Sequence, residues 1–203
     1  MAMLARWAAA ITMMVAVLSV VLFIPRLYAA SQGIDNRSTA VNDFELFSFD
    51  GYRLYRYRSP TPQESEYATT LDTPALVAQL QGTTPPLLLD VQPTTWNHIF
   101  IQQTPRYHLP GSHWLPNVGA GELAPDWLAY FRNHLARLTQ HNLQHPVVIY
   151  CTADCWMSWN AVKRAASFGY TQLYWYRNGT DGWAEHERAL VKATPVPFKR
   201  DGQ

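Results

Sequence analysis

Two cysteines, the only ones in the chain, lie four positions apart in the stretch VVIYCTADCWMSWN, residues 147–160. Cys151 directly follows an apolar run typical of a buried strand, and Cys155 precedes a segment with helical spacing. Thiolates act as nucleophiles and metal ligands, and paired thiols form disulfides. The turn between this strand and this helix is therefore a candidate reactive site.

The position of Cys151 favours a reactive thiol. A strand-to-helix turn directs several backbone N–H groups into one concavity, and the helix start adds partial positive charge. Such donors stabilise a thiolate, the outer sulfur of a persulfide or an oxyanion. The alternative is an inert thiol, since free cysteines are commonly buried.

Cys155 has three interpretations. It closes a small disulfide ring with Cys151 if the turn brings the two Cα atoms within about 7 Å. It resolves a persulfide or sulfenate on Cys151. Or it only packs beside Trp156. The sequence leaves all three open.

A metal centre and a binding groove are two further kinds of site. Ligand types suited to a soft ion such as Cu(I) are present beside the thiols: His98, His108, His113 and Met157. Their spacing contains neither Cys-x-x-Cys nor His-x-x-x-His, so we expect no metal and no haem. Four tryptophans would line a groove for a partner or a quinone, or else pack in the core: Trp96, Trp114, Trp156 and Trp175.

Composition indicates one folded domain. The chain has 203 residues, of which 48% are apolar and 15% charged, with a formal net charge of +1. This length supports one good core. Residues 1–30 contain two arginines and no acidic residue, so the rest of the chain has 14 basic and 15 acidic residues. No basic stripe remains, so nucleic acid is not expected as a partner.

Residues 7–24, WAAAITMMVAVLSVVLFI, form an apolar run preceded by Arg6 and followed by Pro25 and Arg26. A basic start, an apolar run and small residues are the parts of a secretory signal. The run is also nearly long enough to span a bilayer. We expect residues 1–30 to be a signal peptide or membrane anchor and the rest to lie in a periplasm, where disulfides persist.

The remaining chain alternates short apolar runs with helical patterns. Residues 44–58 read as a hairpin around Asp50-Gly51, and residues 59–70 as a linker. Helices are predicted from an N-cap at Thr73, after Pro125 and over residues 158–168. Continuous apolar strands between helices indicate an α/β fold with a mainly parallel sheet covered on both faces. Ligands of such sheets bind beyond the carboxyl ends of the strands, where the two cysteines lie.

Several segments, in this order, resemble the rhodanese-like domains. They are LLLDV (residues 87–91), HLPGSHWLP (108–116), VVIYC (147–151), the pair Gly169-Tyr170, and NGTDGW (178–183). The resemblance covers roughly residues 70–190 and implies a three-layer domain with a central, mainly parallel sheet. The pattern around C-x-x-x-C-W is closest to exported members named for a CXXCW motif and associated with pyrroloquinoline-quinone (PQQ)-dependent catabolism. Here three residues separate the cysteines, not two.

The resemblance implies a nucleophile, two supporting residues and the extent of the active-site loop. Cys151 would be the nucleophile that accepts sulfur, and Asp90 and His108 would support the loop edge. The rest of the active-site loop would be Thr152, Ala153, Asp154, Cys155, Trp156, Met157 and Ser158.

The loop departs from the family pattern, C-x-x-G-x-R followed by Ser or Thr. Asp154 stands where glycine is expected, and the loop contains no arginine. A carboxylate there opposes thiolate formation and repels thiosulfate. Lys163 and Arg164 on the next helix would compensate, or they form a solvated helix face.

We therefore expect an N-terminal extension with a β-hairpin at residues 31–69, a rhodanese-like domain at 70–193 and an unstructured tail at 194–203. The expected function is sulfur transfer through a Cys151 persulfide, linked to PQQ-dependent alcohol catabolism. The alternatives are a Cys151/Cys155 redox switch and a non-catalytic module for a quinoprotein system. The expected partners are a small sulfur donor or thiol acceptor and a PQQ-dependent dehydrogenase system. No cofactor is expected, PQQ included, and a membrane only through residues 7–24.

Overall fold

The computed structural model describes residues 43–199. A 3-10 turn (Asp43–Leu46) comes first. The strands are β1 (Thr69–Leu71), β2 (Leu87–Asp90), β3 (Thr95–Asn97), β4 (Ile99–Ile101), β5 (Tyr107–His108), β6 (His113–Trp114), β7 (Val147–Tyr150), β8 (Leu173–Tyr176) and β9 (Val191–Lys192). The helices are α1 (Thr73–Leu80), α2 (Pro125–Leu138), α3 (Trp156–Ser167) and α4 (Gly179–Glu185). The predicted signal or anchor, residues 1–30, lies outside this part.

A five-stranded parallel sheet in the order β1-β8-β7-β2-β6 forms the centre. β7 lies between β2 and β8, with Leu87 opposite Val147 and Tyr150 opposite Tyr176. All four residues of β7 are buried, as expected of a strand covered on both faces. The predicted α/β fold with a parallel sheet is confirmed.

Alternate residues along the strands pack on opposite faces of the sheet. Val147 and Ile149 belong to one buried cluster, with residues of α2 and α3. Val148 and Tyr150 belong to the second, with Leu76 of α1. The domain therefore has three layers, and the carboxyl end of β7 opens at the edge between them. Among residues 43–199, no helix is long and apolar enough to cross a bilayer.

The predicted N-terminal hairpin is only partly formed. Gly51 donates to the carbonyl of Ser48, so the turn is present, but a single antiparallel bridge joins Phe47 and Arg53. The backbone of Arg53 bonds to the side chain of Asn160 in α3, through its N–H at 2.9 Å and its carbonyl at 2.8 Å. Two backbone hydrogen bonds flank the bridge, from Ser48 N–H to the Tyr52 carbonyl and from Leu54 N–H to the Leu46 carbonyl, both at 2.8 Å. The outward-facing backbone groups of Arg53 are satisfied by the helix, and the pairing extends no further than this one bridge.

Two predicted helix starts are wrong by one or two residues. Asp72, not Thr73, caps α1, because its carboxylate accepts the N–H of Ala75 at 2.8 Å. The third helix begins at Trp156, not at Ser158. Pro74 and Pro125 occupy first-turn positions, where a missing N–H costs nothing, and the helix predicted after Pro125 begins at that residue.

The predicted unstructured tail is wrong for residues 194–199. Val196 donates to the carbonyl of Trp114 at 2.9 Å, and its own carbonyl accepts the Tyr130 hydroxyl at 2.8 Å. Phe198 is 5% exposed and stacks on Trp127, with ring centroids 3.8 Å apart. Burial of the Phe198 ring therefore holds this end of the chain against α2.

Candidate functional site

The two cysteines flank the loop between β7 and α3. Cys151 directly follows Tyr150, the last residue of β7, and Cys155 directly precedes Trp156, the first residue of α3. A disulfide joins them, with Cα atoms 6.2 Å apart. Of the three interpretations of Cys155, the structure shows the closed disulfide ring. Cys151 is completely buried and Cys155 is 3% exposed.

The backbone of Cys151 is fixed from two sides. Its carbonyl accepts the N–H of Thr180 at 3.0 Å and lies 3.4 Å from Nη2 of Arg106. Gly179, with φ +55°, lies so near that a Cβ would collide with the Cys151 carbonyl. The glycine is therefore required where α4 begins, because a larger residue would displace the cysteine.

Charged side chains hold the first half of the ring. The guanidinium of Arg58 donates through Nη1 to the hydroxyl of Thr152 and to the carbonyl of Ala153. The Ala153 N–H donates to Oδ2 of Asp181 at 3.2 Å, and Arg58 Nη2 lies 3.9 Å from that same oxygen. Thr152 and Ala153 are therefore tied down by residues from outside the loop.

Asp154 occupies a left-handed backbone position, with φ +48°. This explains why glycine is expected there, since only glycine adopts such a conformation without strain. The carboxylate of Asp154 accepts from the backbone N–H and the hydroxyl of Thr61, at 3.2 and 3.3 Å, and from Nη2 of Arg177 at 3.1 Å. The side chain points to partners outside the ring.

Residues 57–62, here called the strap, lie across the loop. The carbonyl of Tyr57 accepts the N–H of Trp156 at 2.9 Å, which satisfies one of the free donors at the start of α3. Arg58 forms an antiparallel bridge with Cys155 itself. The end of the predicted hairpin and the start of the predicted linker are therefore part of the candidate site, and sequence reasoning missed them.

Three arginines surround the ring, although the loop contains none. Each is paired with a carboxylate in the described structure: Arg58 with Asp181, Arg106 with Asp90, and Arg177 with Asp154. The three positive charges close to the disulfide are therefore each balanced by a carboxylate.

The predicted compensation by Lys163 and Arg164 is wrong. Arg164 is 4% exposed and donates to the carbonyls of Val118 and Gly121, at 2.9 and 3.0 Å. Lys163 donates to the carbonyl of Asp50. Both side chains bind the segments that cover α3, so they form neither a solvated face nor a part of the loop. Burial lowers the pKa of the Arg164 guanidinium.

Asp90 lies at the end of β2, beside the candidate site, and is completely buried. Its carboxylate accepts two hydrogen bonds from Arg106, at 2.9 and 3.1 Å, which is the strong bidentate arrangement. His108 Nδ1 lies 3.7 Å from Asp90 Oδ2, too far for a hydrogen bond, and has no other hydrogen-bond partner among the described residues. The two residues predicted as supports are thus neighbours.

The last three residues predicted for the loop belong to the first turn of α3, and all are buried: Trp156, Met157 and Ser158. The Ser158 hydroxyl donates to the Cys155 carbonyl at 2.8 Å and accepts the Trp175 indole N–H at 3.0 Å. It is directed into the core and not toward the sulfurs.

Gln92 is a residue that sequence reasoning did not single out. Its Oε1 lies 3.0 Å from Sγ of Cys151. Its place two residues beyond the end of β2, next to β7 in the sheet, is the available signal, because the carboxyl ends of neighbouring parallel strands share an edge. Gln92 also lines a cavity of about 380 Å³ with residues 93–95, 101, 103–107 and 114.

The tryptophans predicted as one possible groove do not form it. Trp114, Trp156 and Trp175 are at most 7% exposed, so they pack in the core. Trp96 packs edge-on against Trp127. Within residues 43–199, no three metal-ligating side chains of His, Cys, Asp or Glu converge.

Comparisons with known proteins were consistent with this arrangement. The family model described as "Rhodanese-like domain" matches residues 73–186, more than half of the chain. No curated protein matches the chain.

Solved structures resemble the chain only distantly. A thiosulfate sulfurtransferase from Pseudomonas aeruginosa is 16% identical over 66% of this chain and 22% of its own, with a TM-score of 0.43. The homodimeric polysulfide-sulfur transferase from Wolinella succinogenes is 13% identical over 62% and 79%, with a TM-score of 0.40. Wild-type EanB is 16% identical over 72% and 36%, with a TM-score of 0.44.

The chain thus spans about a fifth of the Pseudomonas protein and about a third of EanB, and nothing about activity follows from likenesses this slight. The family match rests on the same strands and loop that carry the disulfide. The chain belongs to the rhodanese-like domain family.

Proposed function

We propose that this chain is an exported sulfurtransferase-type protein that carries sulfane sulfur as a persulfide on Cys151. The observation that carries the proposal is the Cys151–Cys155 disulfide in the loop after β7 of a rhodanese-like domain. A buried thiol pair placed to bond at the carboxyl edge of the sheet is fitted for sulfur exchange. The disulfide is the oxidised resting form, and Cys155 is the resolving thiol.

The cycle begins when an external dithiol reduces the disulfide and is itself oxidised to a disulfide. The Cys151 thiolate then attacks the outer sulfur of a sulfane donor. A bond forms between Sγ and that sulfur, and the donor's remaining group leaves with the electron pair of the broken bond. An external nucleophile removes the outer sulfur and returns the thiolate.

In the absence of an acceptor, Cys155 resolves the persulfide. Its thiolate attacks Sγ of Cys151, the Sγ–Sγ bond forms, and the outer sulfur leaves as hydrosulfide with the proton that Cys155 loses. The 6.2 Å separation of the Cα atoms allows this bond without backbone movement.

We further propose that the protein works in the periplasm in association with PQQ-dependent alcohol catabolism. The apolar segment at residues 7–24 and the C-x-x-x-C-W pattern support this assignment. A disulfide is in keeping with an oxidising compartment. PQQ itself is not part of the proposed site.

A second candidate function is thiol–disulfide exchange without sulfur transfer. The disulfide itself favours it, because the pair already forms a complete two-electron couple. The third candidate, a non-catalytic binding module for a quinoprotein system, would not require either thiol.

Intact-protein mass spectrometry separates the three functions. The purified protein is measured as isolated, after a dithiol, and after the dithiol followed by thiosulfate or cysteine persulfide. We expect the isolated protein to lack two hydrogens, and Cys155→Ser to gain one sulfur atom that reductant removes and Cys151→Ser never gains. A disulfide that opens and closes without any sulfur adduct from either donor would establish the redox function instead. If both thiols stay free and unmodified under every treatment, the non-catalytic binding module becomes the better account.

A further inference from the structure

The buried disulfide raises the question of how a small molecule reaches it. The strap covers the ring beside Cys155, where Arg58 pairs with that cysteine. Cys151 Sγ is in contact with Gln92, whose side chain also lines the cavity of about 380 Å³. The cavity therefore lies directly behind the residue that touches the sulfur, on the Cys151 side of the ring.

Gln92 is anchored so that its amide faces Cys151. Its backbone N–H donates to Oδ1 of Asp90 at 3.0 Å, and its carbonyl accepts the indole N–H of Trp114 at 2.8 Å. With both backbone groups fixed, the side chain starts from a defined position, and its Oε1 lies 3.0 Å from Sγ. An amide accepts a hydrogen bond from a thiol through its oxygen and donates one to a thiolate through its nitrogen.

The cavity is polar but nearly neutral. Most of its polar wall consists of uncharged side chains: Gln92, Thr94, Thr95, Gln103, Thr104 and Tyr107. Its single charged residue, Arg106, is already bound twice by the carboxylate of Asp90. A dianion such as thiosulfate would find no free cation among these lining residues, whereas a polar donor of lower net charge would find several hydrogen-bond partners.

We propose that this cavity binds a low-molecular-weight persulfide that delivers its outer sulfur to Cys151, and that Gln92 is a catalytic residue that holds the reacting sulfur. The proposal rests on the proposed function and names its substrate class: a small, polar persulfide of low net charge. In the step, the Sγ–S bond forms, the donor's S–S bond breaks, and the donor's thiolate leaves with the electron pair. When the disulfide is reduced, the Gln92 amide turns so that its N–H replaces Oε1 beside the sulfur. The N–H then donates to the Cys151 thiolate before the step and to the persulfide after it.

The test uses full-length Cys155→Ser protein, which retains its persulfide, and follows transfer by mass spectrometry. Cysteine persulfide and thiosulfate are compared at equal concentration. We expect cysteine persulfide to react at least about tenfold faster, which corresponds to about 1.4 kcal/mol. Equal rates, or faster thiosulfate, would overturn the substrate class.

Two substitutions test the site itself in the same background. Gln92→Leu removes the amide, and we expect transfer to slow about tenfold and the pH of half-maximal alkylation of Cys151 to move upward. A purely structural role for Gln92 would not move the alkylation profile. Gln103→Trp fills the cavity from an exposed position and should also slow transfer, whereas Gln144→Trp, at the amino end of β7, should not.

The outcomes separate this proposal from the proposed function. If Cys155→Ser gains no sulfur from either donor, the proposed function fails. If it gains sulfur and neither Gln92→Leu nor Gln103→Trp slows transfer, the proposed function stands and the cavity assignment is overturned.

Discussion

Arg58 and Cys155 are paired through their backbones in an antiparallel bridge, although nearly half of the chain separates them. The side chain of Arg58 extends from this bridge over the ring and binds Thr152 and Ala153. One residue of the N-terminal extension thus contacts three of the five residues in the ring that the disulfide closes.

Arg58→Ala should open the disulfide to reductants. Loss of the guanidinium removes the hydrogen bonds that hold Thr152 and Ala153, so the ring fluctuates more and Cys155 becomes accessible. We expect the rate of reduction by a small dithiol to rise several-fold, measured by alkylation of the released thiols. Arg56→Ala, at an exposed strap-adjacent position, is the control. Equal rates for all three proteins would show that Arg58 does not restrain the ring.

Substitutions at Asp154 should separate backbone strain from side-chain contacts. Asp154→Gly loses the bonds to Thr61 and Arg177 but suits the φ of +48°. Asp154→Ala loses the same bonds and adds about 1 kcal/mol of left-handed strain. We expect the free energy of unfolding in urea to decrease in the order wild type, glycine, alanine. A glycine variant no more stable than the alanine variant would contradict the backbone argument.

Phe198→Ala should destabilise the domain even though it lies beyond the last strand. The ring is 5% exposed and contacts Trp127, Trp96 and Tyr130. Truncation of a buried phenylalanine costs roughly 3 kcal/mol, which denaturation will measure. Lys199→Ala, the exposed neighbour, should change stability by less than about 0.5 kcal/mol. If Phe198→Ala has the same free energy of unfolding as the wild type, the ring does not stabilise the domain, and the unstructured tail predicted from sequence is the better description.

His134 on α2 should make stability depend on pH. Burial, aided by the charge of Arg137, lowers the pKa of His134 from 6.5 to about 4. The unfolded chain therefore binds more protons between these values, so the free energy of unfolding falls as the pH drops from about 6.5 to about 4. His134→Gln should flatten this decline in denaturation curves measured from pH 7 to pH 4. A decline of the same steepness in the variant would assign it to other groups.

The sheet could be predicted because its strands are short apolar runs buried on both faces, as LLLD and VVIY show. Cys151 could be placed because it follows such a run. The helix after Pro125 was visible from its spacing. These features depend on residues that are close together in the sequence, so a single sequence is enough to predict them.

The partners of the loop could not be predicted, because they are distant in sequence and bind through single atoms. Nothing in SPTP marks Thr61 as a donor to Asp154, or Pro60 as the acceptor of the Trp156 indole N–H. Likewise, the charge of Arg164 predicts exposure, and only the carbonyls of Val118 and Gly121 reverse that preference. Buried polar groups follow their partners, which a single sequence does not reveal.

The strap has a consequence for where this molecule can be cut. The span shared with other family members, residues 73–186, excludes the strap, the edge strand β1 and the ring of Phe198. A protein trimmed to that span would lose one side of its sheet, the cover of its disulfide and an aromatic ring of its core. The family match at residues 73–186 is thus shorter than the packed domain. Both of its boundaries fall between segments that pack against each other.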